Sequence, residues 1–408
     1  MKIHRTIPPA AAPISWMDLW HGLAGVFSGK RSIQEIETEM KAYFGVRHVF
    51  LVSSGKAALT LILLGLRSLS PKKEALIPAY TCFSVPSAIR KAGLKVALCD
   101  IDPSTLDFDF KLLEDAIGED TLCVIHGHLF GVPSDVDRIR SLCRARGTFV
   151  VEDAAQAMGG VYKGKMLGTL GDVGFFSLGR GKNITCGSGG VIVTNSGRIA
   201  DAIARHYSTL QEPGLADALK EFFGLMLMAL FIQPSLYWIP AGLPFLKLGE
   251  TRFYTDFPVK RLSGLKGGLL RNWQNHLAQA NHTRAETGVY FGKRLRLKPM
   301  REGPLSYLRM PVLMDSREER DRIYRLSQKR GLGISLMYPT PVNEIEEIKG
   351  TFDGKRFPSA KETAERLLAL PTHHFVSGKD RERICELFEQ ARYSGGRLEE
   401  PTGCSEHA

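Results

Sequence analysis

Apolar positions along the first half of the chain follow two alternating periods. Runs rich in aliphatic residues at 49–52, 74–78, 95–101, 122–126 and 148–152 have the length and composition of strands. Between them, 56–66, 85–92 and 135–146 repeat apolar residues at helical spacing. From about 32 to 195 this alternation predicts an α/β fold with a mainly parallel sheet and covered faces. Ligands of such sheets bind beyond the carboxyl ends of the strands. Past 262 the pattern changes to a long polar helix over 271–296, a strand at 307–313 and a helix over 318–330. The segment Met337-Tyr338-Pro339-Thr340-Pro341 is too proline-rich for regular structure. The expected organisation is a large domain over 1–261, a smaller α+β domain over 262–394 and a disordered polar tail over 395–408.

One segment departs from both periods. No charged residue occurs from 222 to 246, and Pro234, Pro240 and Pro244 interrupt it. A bilayer span needs about 20 apolar helical residues, so a full crossing is not expected. Two readings stand: a buried helix or subunit-interface segment, and an apolar hairpin resting in a membrane interface. In the second, Tyr237 and Trp238 are belt residues, and Lys220, Lys247, Lys260 and Lys266 meet lipid phosphates.

The chain has 408 residues and a net charge of +11, which suits solubility, a phosphorylated substrate or an anionic membrane surface. Nucleic acid is not expected, since no Lys/Arg-rich run or zinc spacing accompanies the charge. The seven cysteines are scattered, with no CxxC pair, which points to a reducing compartment and no metal site. The N-terminus lacks the apolar core of a signal peptide, so a cytoplasmic location is expected.

Candidate chemistry gathers in two places. Val150-Val151-Glu152-Asp153-Ala154-Ala155-Gln156 puts a carboxylate and a glutamine at a strand end, and Ser177 to Asn183 puts Lys182 in a Gly-rich loop near a serine. Pyridoxal 5′-phosphate (PLP) needs that set: an amine for a Schiff base, a carboxylate for the ring nitrogen, and donors for the phosphate. Lys182 is read as the Schiff-base lysine and proton carrier, Asp153 as the partner of the ring nitrogen. The turn Ser54-Gly55-Lys56-Ala57 precedes a helix, whose N-terminal amides suit a phosphate. His128 sits at another strand end, where a structural histidine is the competing reading.

Taken in order, these pieces resemble the DegT/DnrJ/StrS sugar aminotransferase family, within the aspartate-aminotransferase-like fold type I PLP enzymes. The resemblance runs from about 31 to 388 and is weakest over 201–257. It rests on Ser53-Ser54-Gly55-Lys56-Ala57-Ala58-Leu59, Ile77-Pro78-Ala79-Tyr80-Thr81, Asp100-Ile101-Asp102-Pro103, His128-Leu129-Phe130-Gly131, Glu152 to Ala157, Gly171 to Ser177, and Gly181-Lys182-Asn183-Ile184 with Gly189-Gly190. It implies that Gln156 lies by the phenolic oxygen of PLP and that Ser177 binds the phosphate. The family usually has Thr at the place of Lys56; a lysine there adds a charge or points to a nucleotide. It normally has an aromatic ring-stacking residue at the place of Cys82, and Phe83 or Tyr80 can replace it. Arg261-Leu262-Ser263 resembles a stretch donated to the neighbouring subunit's phosphate site, which implies a homodimer; Val259 stands where the family has Asn. The activity implied is transfer of an amino group from an amino acid, glutamate being the expected donor, to a keto group of a nucleotide-linked sugar. The competing classes are a non-catalytic PLP-fold regulatory protein and a membrane-associated assembly protein.

Overall fold

Two helices, α1 (Trp16–Ser28) and α2 (Lys30–Phe44), precede a run of alternating strands and helices. In the computed structural model, which describes residues 5–246, 251–301, 303 and 305–395, that run is β1 (His48–Val52), α3 (Gly55–Arg67), β2 (Glu74–Pro78), α4 (Ser84–Lys91), β3 (Lys95–Cys99), α5 (Phe110–Ala116), β4 (Thr121–Gly127), α6 (Val136–Ala145), β5 (Phe149–Asp153), β6 (Val173–Ser177) and β7 (Gly190–Thr194). The strands form one seven-stranded sheet in the order β1-β7-β6-β5-β4-β2-β3. The run from β6 to β3 is parallel, and only β7 lies antiparallel to its neighbours β1 and β6. This is the mainly parallel α/β sheet predicted from the pattern.

Side chains that alternate along β6 and β7 enter two different cores. Phe175 and Ile192 join Leu59 and Leu63 of α3, whereas Phe176, Val191 and Val193 join Met40 and Phe44 of α2. Burial on both faces explains why these strands read as short apolar runs between glycines and not as clean alternation. The register sets Gly127 beside Asp153 and Asp153 beside Phe175, so the carboxyl ends of β4, β5 and β6 lie level.

The remaining elements are α7 (Gly197–Ser208), α8 (Leu215–Phe231), α9 (Trp238–Ala241), α10 (Gly264–Leu269), α11 (Trp273–Arg294), β8 (Arg309–Leu313), α12 (Arg317–Arg330), α13 (Pro358–Arg366), β9 (Leu367–Pro371) and α14 (Gly378–Gly395). β8 and β9 pair antiparallel into a small second sheet. Residues of α10 and early α11, past the expected boundary at 262, pack with α2 and the large sheet through Leu265, Leu269, Trp273 and Leu277. Helix α1 crosses α10 with their backbones touching: a Cβ on Gly25 would lie 2.3 Å from the Gly264 carbonyl oxygen. Apart from Gly395, the tail expected over 395–408 lies outside the described residues.

No helix among the described residues is long and apolar enough to cross a membrane. Much of the uncharged segment instead belongs to an amphipathic helix. On α8, Ala218, Leu225 and Ala229 face the core, and Leu219, Phe223, Leu227 and Leu230 face outward. Tyr237 and Trp238 are both half-buried. Lys247 falls outside the described residues.

Candidate active site

A cavity of about 180 Å³ opens beyond the level ends of β4, β5 and β6. Its lining includes Ser54, Gly55, Lys56, Cys82, His128, Asp153, Gln156, Ser177 and Lys182. Seven of the sequence-predicted cofactor residues therefore meet in one place, drawn from four separate stretches of chain.

β5 delivers two carboxylates to opposite sides, as strand alternation requires. Asp153 faces the cavity, where Oδ1 accepts from the Ala155 amide at 3.0 Å. Burial pushes its carboxyl up, opposed by that amide and by the charge of Lys182. Glu152 points the other way and is fully buried. It accepts from the amides of Gly168, Leu170 (2.7 Å) and Gly171 (2.9 Å), and from His128 Nε2 at 2.8 Å. Burial pushes its carboxyl up, yet the hydrogen bond and electrostatic pull of His128, with the Gly168 amide, outweigh this and hold it down to about 2. The Ser134 amide donates to His128 Nδ1 at 3.0 Å, which leaves the ring proton on Nε2, toward Glu152. His128 thus lines the cavity while anchored from behind by Glu152.

Lys182 enters from the loop after β6. Gly181 has φ +67°, and a side chain there would meet Ala10, so the turn into Lys182 suits glycine. Burial pushes the Lys182 amine down; Cys82 and Asp153 pull it up, and Arg309 lowers it further. Its backbone is held by Arg284 of α11, which is fully buried and donates to the carbonyls of Ala11 (3.1 Å), Lys182 (3.0 Å) and Asn183 (3.1 Å). Gln156 is fixed at both ends: Oε1 accepts from the Phe130 amide (3.1 Å) and Nε2 donates to the Tyr338 hydroxyl (2.9 Å).

The N-terminus of α3 and Ser177 form the opposite wall. A Cβ on Gly55 would lie 3.1 Å from Ser177 Oγ, so glycine lets the helix start come up against this hydroxyl. Ser54 Oγ caps the helix through the Ala57 amide at 3.1 Å. The first-turn amides open to a phosphate are then those of Gly55 and Lys56.

Two expected contacts, those of Ala57 and Phe83, are revised. Ala57 does not line the cavity, because its methyl is buried in the core and its amide serves the cap. Phe83 is buried against Tyr338, with ring centroids 6.4 Å apart, and Tyr80 packs on the same ring at 5.3 Å; Cys82 is the residue facing the cavity. Lys56 Nζ sits 3.3 Å from the centroid of Tyr254 and 4.7 Å from that of Phe257, so its charge is held in an aromatic cradle. Arg261 is bound within its own subunit by Glu212 at 2.9 Å and by the carbonyls of Tyr207 and Ser208.

PLP fits this donor set. Asp153 is a buried-side carboxylate with one amide donor and capacity for another proton donor, Lys182 is an amine disposed to neutrality, and the α3 amides with Ser177 form an anion cradle. A family model described as the DegT/DnrJ/EryC1/StrS aminotransferase family matches residues 24–235 and 260–389. The chain belongs to this family. A GDP-perosamine synthase of Escherichia coli O157:H7 is 36% identical over 169 residues, 41% of this chain and 46% of that protein. A pleiotropic regulatory protein of Geobacillus stearothermophilus is 34% identical over 170 residues, 41% of this chain and 45% of that one. The chain spans about half the length of the curated relatives it matches. Among solved structures, Helicobacter pylori PseC, an aminotransferase of pseudoaminic acid biosynthesis, shares the fold at a TM-score of 0.76 and 17% identity, covering 97% of this chain and all of that one. Arg284, Arg309 and Tyr338, which act on Lys182 and Gln156 from segments beyond 262, are marked by no local motif.

Proposed function

We propose that this family member is a PLP-dependent aminotransferase that moves an amino group from an amino acid, with glutamate as donor, to a keto group of a nucleotide-linked sugar. The observation that carries the proposal is the convergence of Lys182 and Asp153 on one cavity closed by the α3 N-terminus. When bound, PLP would supply an aldehyde for the amine and a ring that takes up electrons. Lys182, its amine pushed toward the neutral form, holds the cofactor and carries a proton to and from the substrate carbon. With PLP bound, Asp153 would pair with the ring nitrogen and favour its protonated form, and Gln156 would help to orient the ring. The names of the perosamine synthases support a nucleotide-sugar acceptor.

The enzyme is read as a cytoplasmic homodimer that contacts the inner face of a membrane. The relative named as a regulatory protein raises a non-catalytic alternative, against which the intact Lys182–Asp153 pair argues. Borohydride reduction of PLP-loaded protein, followed by peptide mapping, tests the reading. The cofactor mass should sit on Lys182 and vanish in Lys182→Ala; labelling of another lysine in that variant would refute it. Adding glutamate should remove the reducible adduct from the wild type, a response that a non-catalytic binder lacks. Turnover with a panel of nucleotide keto-sugars then identifies the acceptor.

A further inference from the structure

Helix α1 shows solvent an unbroken apolar stripe. Trp16, Met17, Trp20, Ala24 and Phe27 all face outward at helical spacing, with Trp16 63%, Trp20 68% and Phe27 92% exposed. The helix's one acidic residue, Asp18, is buried and spent on the Ser15 cap. Helix α8 runs against α1 and adds a second stripe through Leu215, Leu219, Phe223 and Leu227. Its two carboxylates bend back to the body: Asp217 pairs with Lys260 at 3.3 Å and Glu221 with Lys266 at 2.6 Å. Lys220 is left as the charge on the outward face, and it forms no ion pair with a described residue. Lys30 and Arg31 are also exposed, but each is paired with a carboxylate, Lys30 with Glu212 at 3.2 Å and Arg31 with Glu35 at 3.0 Å.

We infer that α1 and α8 together form a lipid-docking surface for an anionic membrane leaflet. The inference rests on the membrane contact in the proposed function and gives it a defined surface. Two features favour lipid over a second folded chain. Side chains as protruding as Phe27 need matching pockets in a protein partner, whereas acyl chains flow around them. The charge of the two helices also suits lipid: the Asp18 carboxylate of α1 is buried, those of α8 are paired with lysines of the body, and Lys220 is left unpaired on the outward face, as a negative headgroup layer requires. Indole rings at the edge of an apolar stripe suit the interfacial zone.

The test uses the full-length PLP-loaded protein and sedimenting vesicles of phosphatidylcholine alone or with about 30% phosphatidylglycerol, which separates apolar insertion from attraction to anionic headgroups. Wild type should pellet with the anionic vesicles, with a blue shift in tryptophan emission. The triple variant Trp20→Ser/Phe27→Ser/Phe223→Ser should bind at least about 10-fold more weakly. Lys220→Glu should weaken binding to the anionic vesicles and leave that to phosphatidylcholine unchanged. The cofactor absorbance and the solution mass should stay the same in both variants. Wild type that stays in the supernatant, or a triple variant with a smaller oligomer and unchanged vesicle binding, would overturn the inference. Loss of the absorbance band in wild type would instead count against the aminotransferase reading alone.

Discussion

Asp153 and Lys182 depend on each other electrostatically, so removing one charge is informative. Asp153→Asn keeps the shape of the site and its hydrogen bond to the Ala155 amide, but no longer holds a proton on the ring nitrogen. The half-reaction with the amino donor should slow at least about 100-fold. Cofactor affinity should change by only a few-fold, since the α3 amides and Ser177 remain. Stopped-flow absorbance and equilibrium dialysis separate the two, and a variant with near-normal rates would remove Asp153 from its role. Residues on one strand end, such as Asp153 and Gln156, were legible in the sequence because a local motif carries them. Arg284 and Tyr338 were not, because their role comes from packing between segments more than 100 positions apart. Cys82 was visible as a departure from the family pattern, yet which neighbour faced the cavity depended on the turn into α4.

At the level of elements, hydropathy found β1 to β5 and helices α3, α4 and α6 to within a few residues but passed over α1, α2 and α5, and glycine-rich flanks obscured β6 and β7. For the uncharged segment the sequence left a helix and a hairpin open, because composition alone hides which side of a helix is covered; its first part is the half-covered helix α8. The backbone contact of α1 and α10 was equally hidden, although Gly25, Gly264 and Gly268 create it. Gly25→Ala should force the two helices apart, since the new methyl would meet a carbonyl and not a flexible side chain. The expected loss is about 1–3 kcal/mol in urea denaturation, read as a lower midpoint with an unchanged slope. An unaltered midpoint would mean that the crossing yields easily.

For the whole molecule, buried histidines set the acid limit of stability. Burial pushes His126 and His373 down to about 3. Their folded pKa values lie below the unfolded value near 6.5, so acid protonates the unfolded chain first. Stability is therefore full above about pH 6.5 and declines as the pH falls toward 3, by up to about 1.4 kcal/mol per pH unit for each histidine. The contribution of Glu152 follows later, persisting down to the unfolded carboxyl range near 4.5 and disappearing as the pH falls through about 2. Thermal melts should show the midpoint dropping below pH 6.5, with a shallower slope in His126→Phe. A flat midpoint from pH 6.5 to 5 would show that these rings are hydrated.

Arg284 also fixes when the molecule can become competent during synthesis. It joins carbonyls at positions 11, 182 and 183 from a helix that begins at 273. A ribosome that has finished the whole seven-stranded sheet has still not made the clamp for the Lys182 loop. Cofactor capture is thereby timed to the last third of translation, and an N-terminal fragment ending before α11 would carry the lysine without the means to hold it in place.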